Sequence, residues 1–155
     1  VPVVRLTEIF RQAQESLIVV NAHRINHGEA PILDEKQKDF FFTRQEDQQV
    51  ILKTILDLCR ERLPKYYKTT FMDSIQVLSP MKKGPCGIIN LNNELQKILN
   101  PEAPNKKEKP YKDFIFRVGD KVMQVKNNYK MKWQSIVDFE KEGEGVFNGD
   151  IGIII

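Results

Sequence analysis

At residues 101–112 the chain changes character, and that break constrains what it can fold into more than any other feature. The run from Pro101 to Lys112 holds three prolines among charged and amide residues, the composition of a loop or linker. Before it, apolar residues recur at helical spacing. After it, they alternate and are punctuated by Gly and Asn. Two kinds of structure therefore follow one another along the chain.

In the first part, residues 13–27 place Ile18, Ala22 and Ile25 on one predicted helix face, with Gly28 where a left-handed C-terminal cap is wanted. Asp39 to Thr43 reads as a short buried strand. Residues 45–63 form the clearest helix, with Leu52, Ile55, Leu56, Cys59 and Leu63 in one stripe, acidic Glu46 and Asp47 near its start, and Pro64 to end it. Ile75 to Leu78 reads as a strand stopped by Pro80. A further helix is expected over about 86–99, with Ile88, Leu91, Leu95 and Ile98 on one face and Pro101 closing it. Helices alternating with buried-type strands argue for an α/β fold with an open, mainly parallel sheet.

In the second part, Phe114, Phe116 and Val118 alternate with Ile115 and Arg117, and Lys121 to Lys126 reads as another strand. Asn148-Gly149 between apolar neighbours is a type I′ hairpin signal. Residues 113–155 thus read as the opening strands of a small antiparallel barrel.

Composition limits the function. A 155-residue chain that is 41% hydrophobic and 29% charged is globular rather than disordered. No run approaches the roughly 18 apolar residues of a membrane helix, so no membrane partner is expected. A net charge of +3 permits a nucleic-acid partner without demanding one. Cys59 and Cys86 lack metal-ligand spacing and fit a reduced, cytoplasmic chain. The chain starts on Val1 and stops within an apolar strand, Ile151 to Ile155, so a fragment of something longer is expected. No phosphate-binding Gly-Lys-Ser/Thr loop, dinucleotide fingerprint, nucleophile elbow or His-Glu-x-x-His occurs. His23 and His27 stand four apart on a helix but lack a third ligand, and no metal site is expected.

Three stretches carry chemistry. Leu6-x-x-x-Phe10-Arg11-Gln12 leads into a helix through Asn21-Ala22-His23-Arg24-Ile25-Asn26-x-Gly28. A guanidinium such as Arg11 can fork onto phosphate oxygens. Leu78-Ser79-Pro80-Met81-Lys82-Lys83-Gly84, then Leu91-Asn92-x-x-Leu95-Gln96, puts hydroxyl and ammonium donors beyond a predicted strand, with a helix N-terminus suited to phosphate. Arg117-Val118-Gly119-Asp120-Lys121-Val122-Met123-Gln124, with Asn127, Asn128 and Tyr129, and then Phe147-Asn148-Gly149-Asp150-Ile151-Gly152, combines turn chemistry with aromatic and polar tips. Lys126, Lys130 and Lys132 interleave there with Tyr129 and Trp133.

In this order the three blocks resemble the RecD/TraA family of superfamily 1 DNA helicases, and the resemblance spans nearly the whole chain. It implies an ATP-driven 5′ to 3′ motor acting in DNA repair or conjugation, built from two RecA-like (P-loop NTPase-type) domains. Residues 1–112 would be the first half of the second RecA-like domain, and 113–155 the start of an inserted SH3-like barrel. Arg11 would sense the γ-phosphate, with Gln12 in support. Ser79, Lys82, Lys83 and Asn92 would contact single-stranded DNA from the sheet edge. Gln124, Asn127, Tyr129 and Asn148 would track the strand from the barrel, while Asn21 and His23 would orient their helix and loop. ATP and Mg²⁺ would be used by the full-length protein, together with the first RecA-like domain. Alone, the piece is expected to bind neither and to be inactive, because the phosphate-binding loop is missing. Any nuclease-complex subunits are left open. The alternatives are a stand-alone single-stranded nucleic-acid-binding module and a protein-interaction domain.

Overall fold

The structure is a computed structural model. It describes residues 3, 16–33, 39–112 and 114–155. The chain divides into two compact units, the first up to Gln45 and the second from Glu46.

The first unit contains α1 (Leu17–Asn26), started by the Ser16 hydroxyl, which accepts from the Val19 N–H. It ends in a Schellman arrangement: the Gly28 N–H donates to the Ile25 carbonyl and the Glu29 N–H to the Arg24 carbonyl, with Gly28 at φ +79° as the sequence predicts. The buried positions are Leu17 and Asn21, whereas Ile18, Ala22 and Ile25 are exposed. The expected apolar face is therefore rotated, because Asn21 claims the inward position through a two-point clamp. Its Nδ2 donates to the Ile32 carbonyl at 2.9 Å, and its Oδ1 accepts from the Ile32 N–H at 2.7 Å. Asp39 to Thr43 forms no strand, and Phe41 and Phe42 are exposed. Without a neighbouring ladder among the described residues, the segment has nothing to pair with.

In the second unit, α2 (Gln48–Asp57), a π-helical stretch (Leu58–Arg62) and α3 (Leu63–Tyr67) run on as one helix. Asp47 caps it by accepting from the Gln49 and Val50 N–H groups. Pro64 does not end it. In a regular α-helix its ring would press on the carbonyl four residues back. The wider turn before it, with the Leu63 N–H donating to Leu58, makes room, and the helix stops only at left-handed Lys68. The short α4 (Phe71–Ser74) follows, then an extended segment, then α5 (Ile88–Leu99). Cys59, Ile75 and Leu95 form the core, joined by Ile55, Leu56, Leu63, Phe71, Val77, Ile98 and Leu99. The predicted α2 stripe and the Leu91, Leu95 and Ile98 face of α5 are thus the packing faces, while Ile88 is exposed.

Ile75 to Leu78 is extended but unladdered, with Ile75 in the core and Leu78 exposed. Every ladder among the described residues is antiparallel, and the expected RecA-like parallel sheet is not among them.

The remainder consists of three two-stranded ribbons, in keeping with an SH3-like segment. β1 (Glu108–Tyr111) pairs β2 (Phe114–Arg117), β3 (Lys121–Met123) pairs β6 (Ile151–Ile153), and β4 (Asn128–Gln134) pairs β5 (Glu142–Val146). The expected loop 101–112 therefore ends in a strand, recruited by alternating β2. Asn148-Gly149 does not close a hairpin, since its flanking strands pair elsewhere. In the Phe147–Asp150 turn only Gly149 has positive φ (+97°), the type II pattern rather than I′.

Candidate nucleic-acid interface

The ribbons are fastened to α5 by a polar cluster. The Asp120 carboxylate accepts from the Arg117 N–H at 2.7 Å, from Gln96 Nε2 at 2.6 Å and from Asn100 Nδ2 at 2.7 Å. Arg117, buried at 7% exposure, donates through Nη1 to the Asn100 carbonyl at 2.6 Å and through Nε to Glu108 at 2.5 Å. Lys106 completes the cluster on Asn100 Oδ1. A second tie is Lys121, whose ammonium donates to the Ile75 carbonyl at 2.9 Å and lies 5.4 Å from the Phe71 ring centroid. The Arg117–Lys121 turn is thus an anchor. Of its partners, Gln96 stood in the sequence only as the end of the Leu91-Asn92-x-x-Leu95-Gln96 stretch, and Asn100 carried no signal beyond being an amide beside a helix end.

Anchored in this way, β3 and β6 hold a tip built from two loops. The Gln124 carbonyl accepts from the Gly149 N–H, and the Gln124 N–H donates to the Asp150 carbonyl, both at 2.9 Å. Gln124 Nε2 donates to the Lys126 carbonyl at 2.6 Å. Asn127 joins the loops: its Oδ1 accepts from the Asn148 N–H at 2.8 Å, and its Nδ2 donates to Tyr129 Oη at 2.9 Å. The Tyr129 ring meets Phe147 edge-on, with centroids 5.9 Å apart. The structure therefore gathers Gln124, Asn127, Tyr129 and Asn148 at one place.

This arrangement has chemical consequences. Tyr129 is 67% exposed, and its oxygen accepts from Asn127, which leaves its own O–H able to donate to an acceptor that arrives. Phe147 braces the ring so that its free surface is rigid, which suits stacking. Lys126 and Lys130 are exposed beside it. Phe147 was legible in the sequence only as an apolar neighbour of a turn.

The other predicted residues lie elsewhere, and among the described residues no hydrogen bond links them to the tip. Ser79 organises its own loop: its hydroxyl donates to the Cys86 carbonyl at 2.7 Å and accepts from the Met81 N–H at 3.2 Å. Lys82 and Lys83 are exposed on that loop, and Asn92 is exposed on α5. The α5 N-terminus is not the open phosphate site that the sequence suggests. Its Ile88 and Ile89 N–H groups donate to the Met81 and Lys82 carbonyls, and Gly87 lets that backbone fold in closely. Arg11 and Gln12 lie outside the described residues. His23 and His27 rings are 6.4 Å apart, and among the described residues no group of three His, Cys, Asp or Glu gathers around a common point.

Short antiparallel ribbons fastened to a preceding helix are in keeping with an SH3-like segment. Residues 91–155 match the family described as the ATP-dependent RecD-like DNA helicase SH3 domain. The match begins within α5, in keeping with the Gln96 and Asn100 anchor. Over 154 residues, 99% of its length, the chain is 30% identical to the ATP-dependent RecD2 DNA helicase of Deinococcus radiodurans, of which it spans 18%. Together these findings bear out the resemblance carried by the three sequence blocks: the chain is similar to RecD-type helicases over nearly its whole length, and in residues 91–155 to their SH3 domain.

Proposed function

We propose that the chain serves an ATP-dependent 5′ to 3′ DNA helicase by holding single-stranded DNA at the Gln124–Asn127–Tyr129–Asn148 tip. The convergence of those four residues on two loops joined by Asn127, which accepts from the Asn148 backbone N–H and donates to Tyr129, and by the Gln124 backbone, carries the reading. Amides and an outward phenol suit phosphate oxygens, the braced Tyr129 face suits a base, and Lys126 and Lys130 supply the salt-dependent part of the affinity. The Asp120 cluster and Lys121 make the tip and α5 move together, so a displacement of the helical part is delivered to the strand.

Within this reading, residues 1–112 belong to a second RecA-like domain, in which Ile75–Leu78 would be a strand. Residues 113–155 begin the SH3-like barrel. Lys82 and Lys83 offer further backbone contacts, whereas Ser79 and Asn92 are weaker contributors. Arg11 is the γ-phosphate sensor, supported by Gln12. ATP, Mg²⁺ and the first RecA-like domain belong to the full-length protein, which acts in the cytoplasm. Among the described residues no helix is long and apolar enough to cross a membrane.

Fluorescence anisotropy of a labelled oligothymidine tests the tip. Tyr129→Ala should weaken binding by about 5- to 150-fold, the value of roughly 1–3 kcal/mol for one stacked base. Unchanged affinity would refute the assignment. The same tip would also serve a binding module without motor activity. Absence of DNA-stimulated ATP turnover in the full-length protein, with binding intact, would select that reading.

A further inference from the structure

We infer that the Ser135–Lys141 loop, at the opposite end of the β4–β5 hairpin from the tip, docks a protein partner bearing an apolar pocket rimmed by lysine or arginine. This inference goes beyond the helicase reading and stands without it.

The loop presents Ile136, Val137 and Phe139 to solvent at 86%, 91% and 72% exposure. These side chains are held outward by an ordered backbone. The Ser135 hydroxyl accepts from the Val137 N–H at 3.3 Å and the Asp138 N–H at 3.0 Å. The Lys141 N–H donates to the Asp138 carbonyl at 2.9 Å, and the Ser135 N–H to the Lys141 carbonyl at 2.8 Å. Gln134 Nε2 ties down the Phe139 carbonyl at 2.7 Å. An apolar group fixed in position in water is pre-organised for a contact, since the cost of ordering it is already met.

Charge selects the partner. Lys132 and Glu144 face each other midway along the hairpin and offset one another. Beyond them, from Ser135 to Gly143, the chain carries Asp138, Glu140 and Glu142 against Lys141, a net of −2, whereas from Gln124 to Met131 it carries Lys126 and Lys130 with no acid, a net of +2. The hairpin is therefore polarised. Its basic end attracts a phosphate backbone, while its acidic end repels nucleic acid and anionic lipid alike. What fits three apolar side chains ringed by carboxylates is a protein surface with an apolar pocket and a basic rim.

The test replaces Val137, in the full-length protein in the cells that make it, by the photoreactive benzoylphenylalanine. A second variant carries that group at Ile136, in case the first is poorly tolerated. Irradiation should give an adduct with another protein, through a peptide that holds apolar residues beside lysine or arginine. The yield should fall at least about fivefold in the Glu140→Lys/Glu142→Lys background, because charge complementarity steers docking. Oligothymidine binding by the same variants should be retained, which separates this inference from the role of the tip. An adduct with DNA, with the protein's own chain or with a second copy would overturn the proposal. So would an adduct indifferent to charge reversal, or no adduct from either variant.

Discussion

Replacing Asp120 by alanine should loosen the attachment of the ribbons to α5, and the structure sets the size of the effect. The carboxylate accepts from Gln96 Nε2, Asn100 Nδ2 and the Arg117 N–H at 2.6, 2.7 and 2.7 Å. Two of these donors keep another acceptor, since Gln96 Nε2 also reaches the Ile115 carbonyl and Asn100 Nδ2 the Val118 carbonyl. The Arg117 N–H loses its acceptor at a cost of about 1–3 kcal/mol, and one of the two N–H groups of each amide is released as well, at about 0.5–1.5 kcal/mol each. A net loss of about 3 kcal/mol is expected. Against a domain stability of about 5–15 kcal/mol this is a large fraction. In urea it amounts to a midpoint lower by about 1–2 M at an ordinary dependence on denaturant. Asp120→Asn should recover part of this, because its amide oxygen can stand where Oδ2 accepts from the Arg117 N–H and Gln96 Nε2, while its NH₂ would face Asn100 Nδ2. Equilibrium urea unfolding followed by Trp133 fluorescence reads both variants. A loss below about 0.5 kcal/mol for Asp120→Ala would refute the anchor.

Three further outcomes are expected. Gly87→Ala would put a Cβ 2.5 Å from the Lys83 carbonyl carbon and oxygen and 2.8 Å from the Lys82 carbonyl carbon, a backbone clash. It should destabilise by about 2–3 kcal/mol in the same unfolding assay. Burial raises the Cys59 thiol to about 11, so iodoacetamide at neutral pH should label it only when the chain unfolds. The unfolded thiol ionises first, so its contribution to stability is intact below about 9 and fades as pH rises toward 11, read by unfolding across that range. Arg11→Ala in the full-length protein should lower kcat for ATP about 10²-fold or more with little change in ATP affinity, measured by steady-state hydrolysis. An equal loss of affinity with turnover intact would count against the sensor role.

Local rules were legible in the sequence, and long-range ones were not. The α2 stripe and the Gly28 cap each depend on neighbours within a few residues, and the structure keeps them; β2 forms as a strand, but its burial does not alternate as expected, since Arg117 is buried in the Asp120 cluster and Phe116 is exposed. Asp39–Thr43 and Ile75–Leu78 depend on strands that must come from elsewhere, and no ladder forms on them among the described residues. Pro64 misled because a widened helical turn upstream removed the clash that normally stops a helix. The rotated α1 face follows from Asn21, whose amide satisfies the Ile32 backbone better than an apolar side chain could. At the tip, the resemblance named Gln124, Asn127, Tyr129 and Asn148, whereas residue types alone read most of that stretch as turn chemistry. The Asp120 cluster stayed hidden because Gln96 and Asn100 gain their meaning only when the ribbon folds back over the helix end.

Chemical-shift mapping of the nitrogen-labelled protein during titration with a short oligothymidine tests the central claim most directly. The account predicts salt-sensitive perturbations concentrated at residues 124–130 and 147–150, with the 135–141 loop unmoved. Perturbations centred on that acidic loop, or none at the tip at saturation, would contradict it.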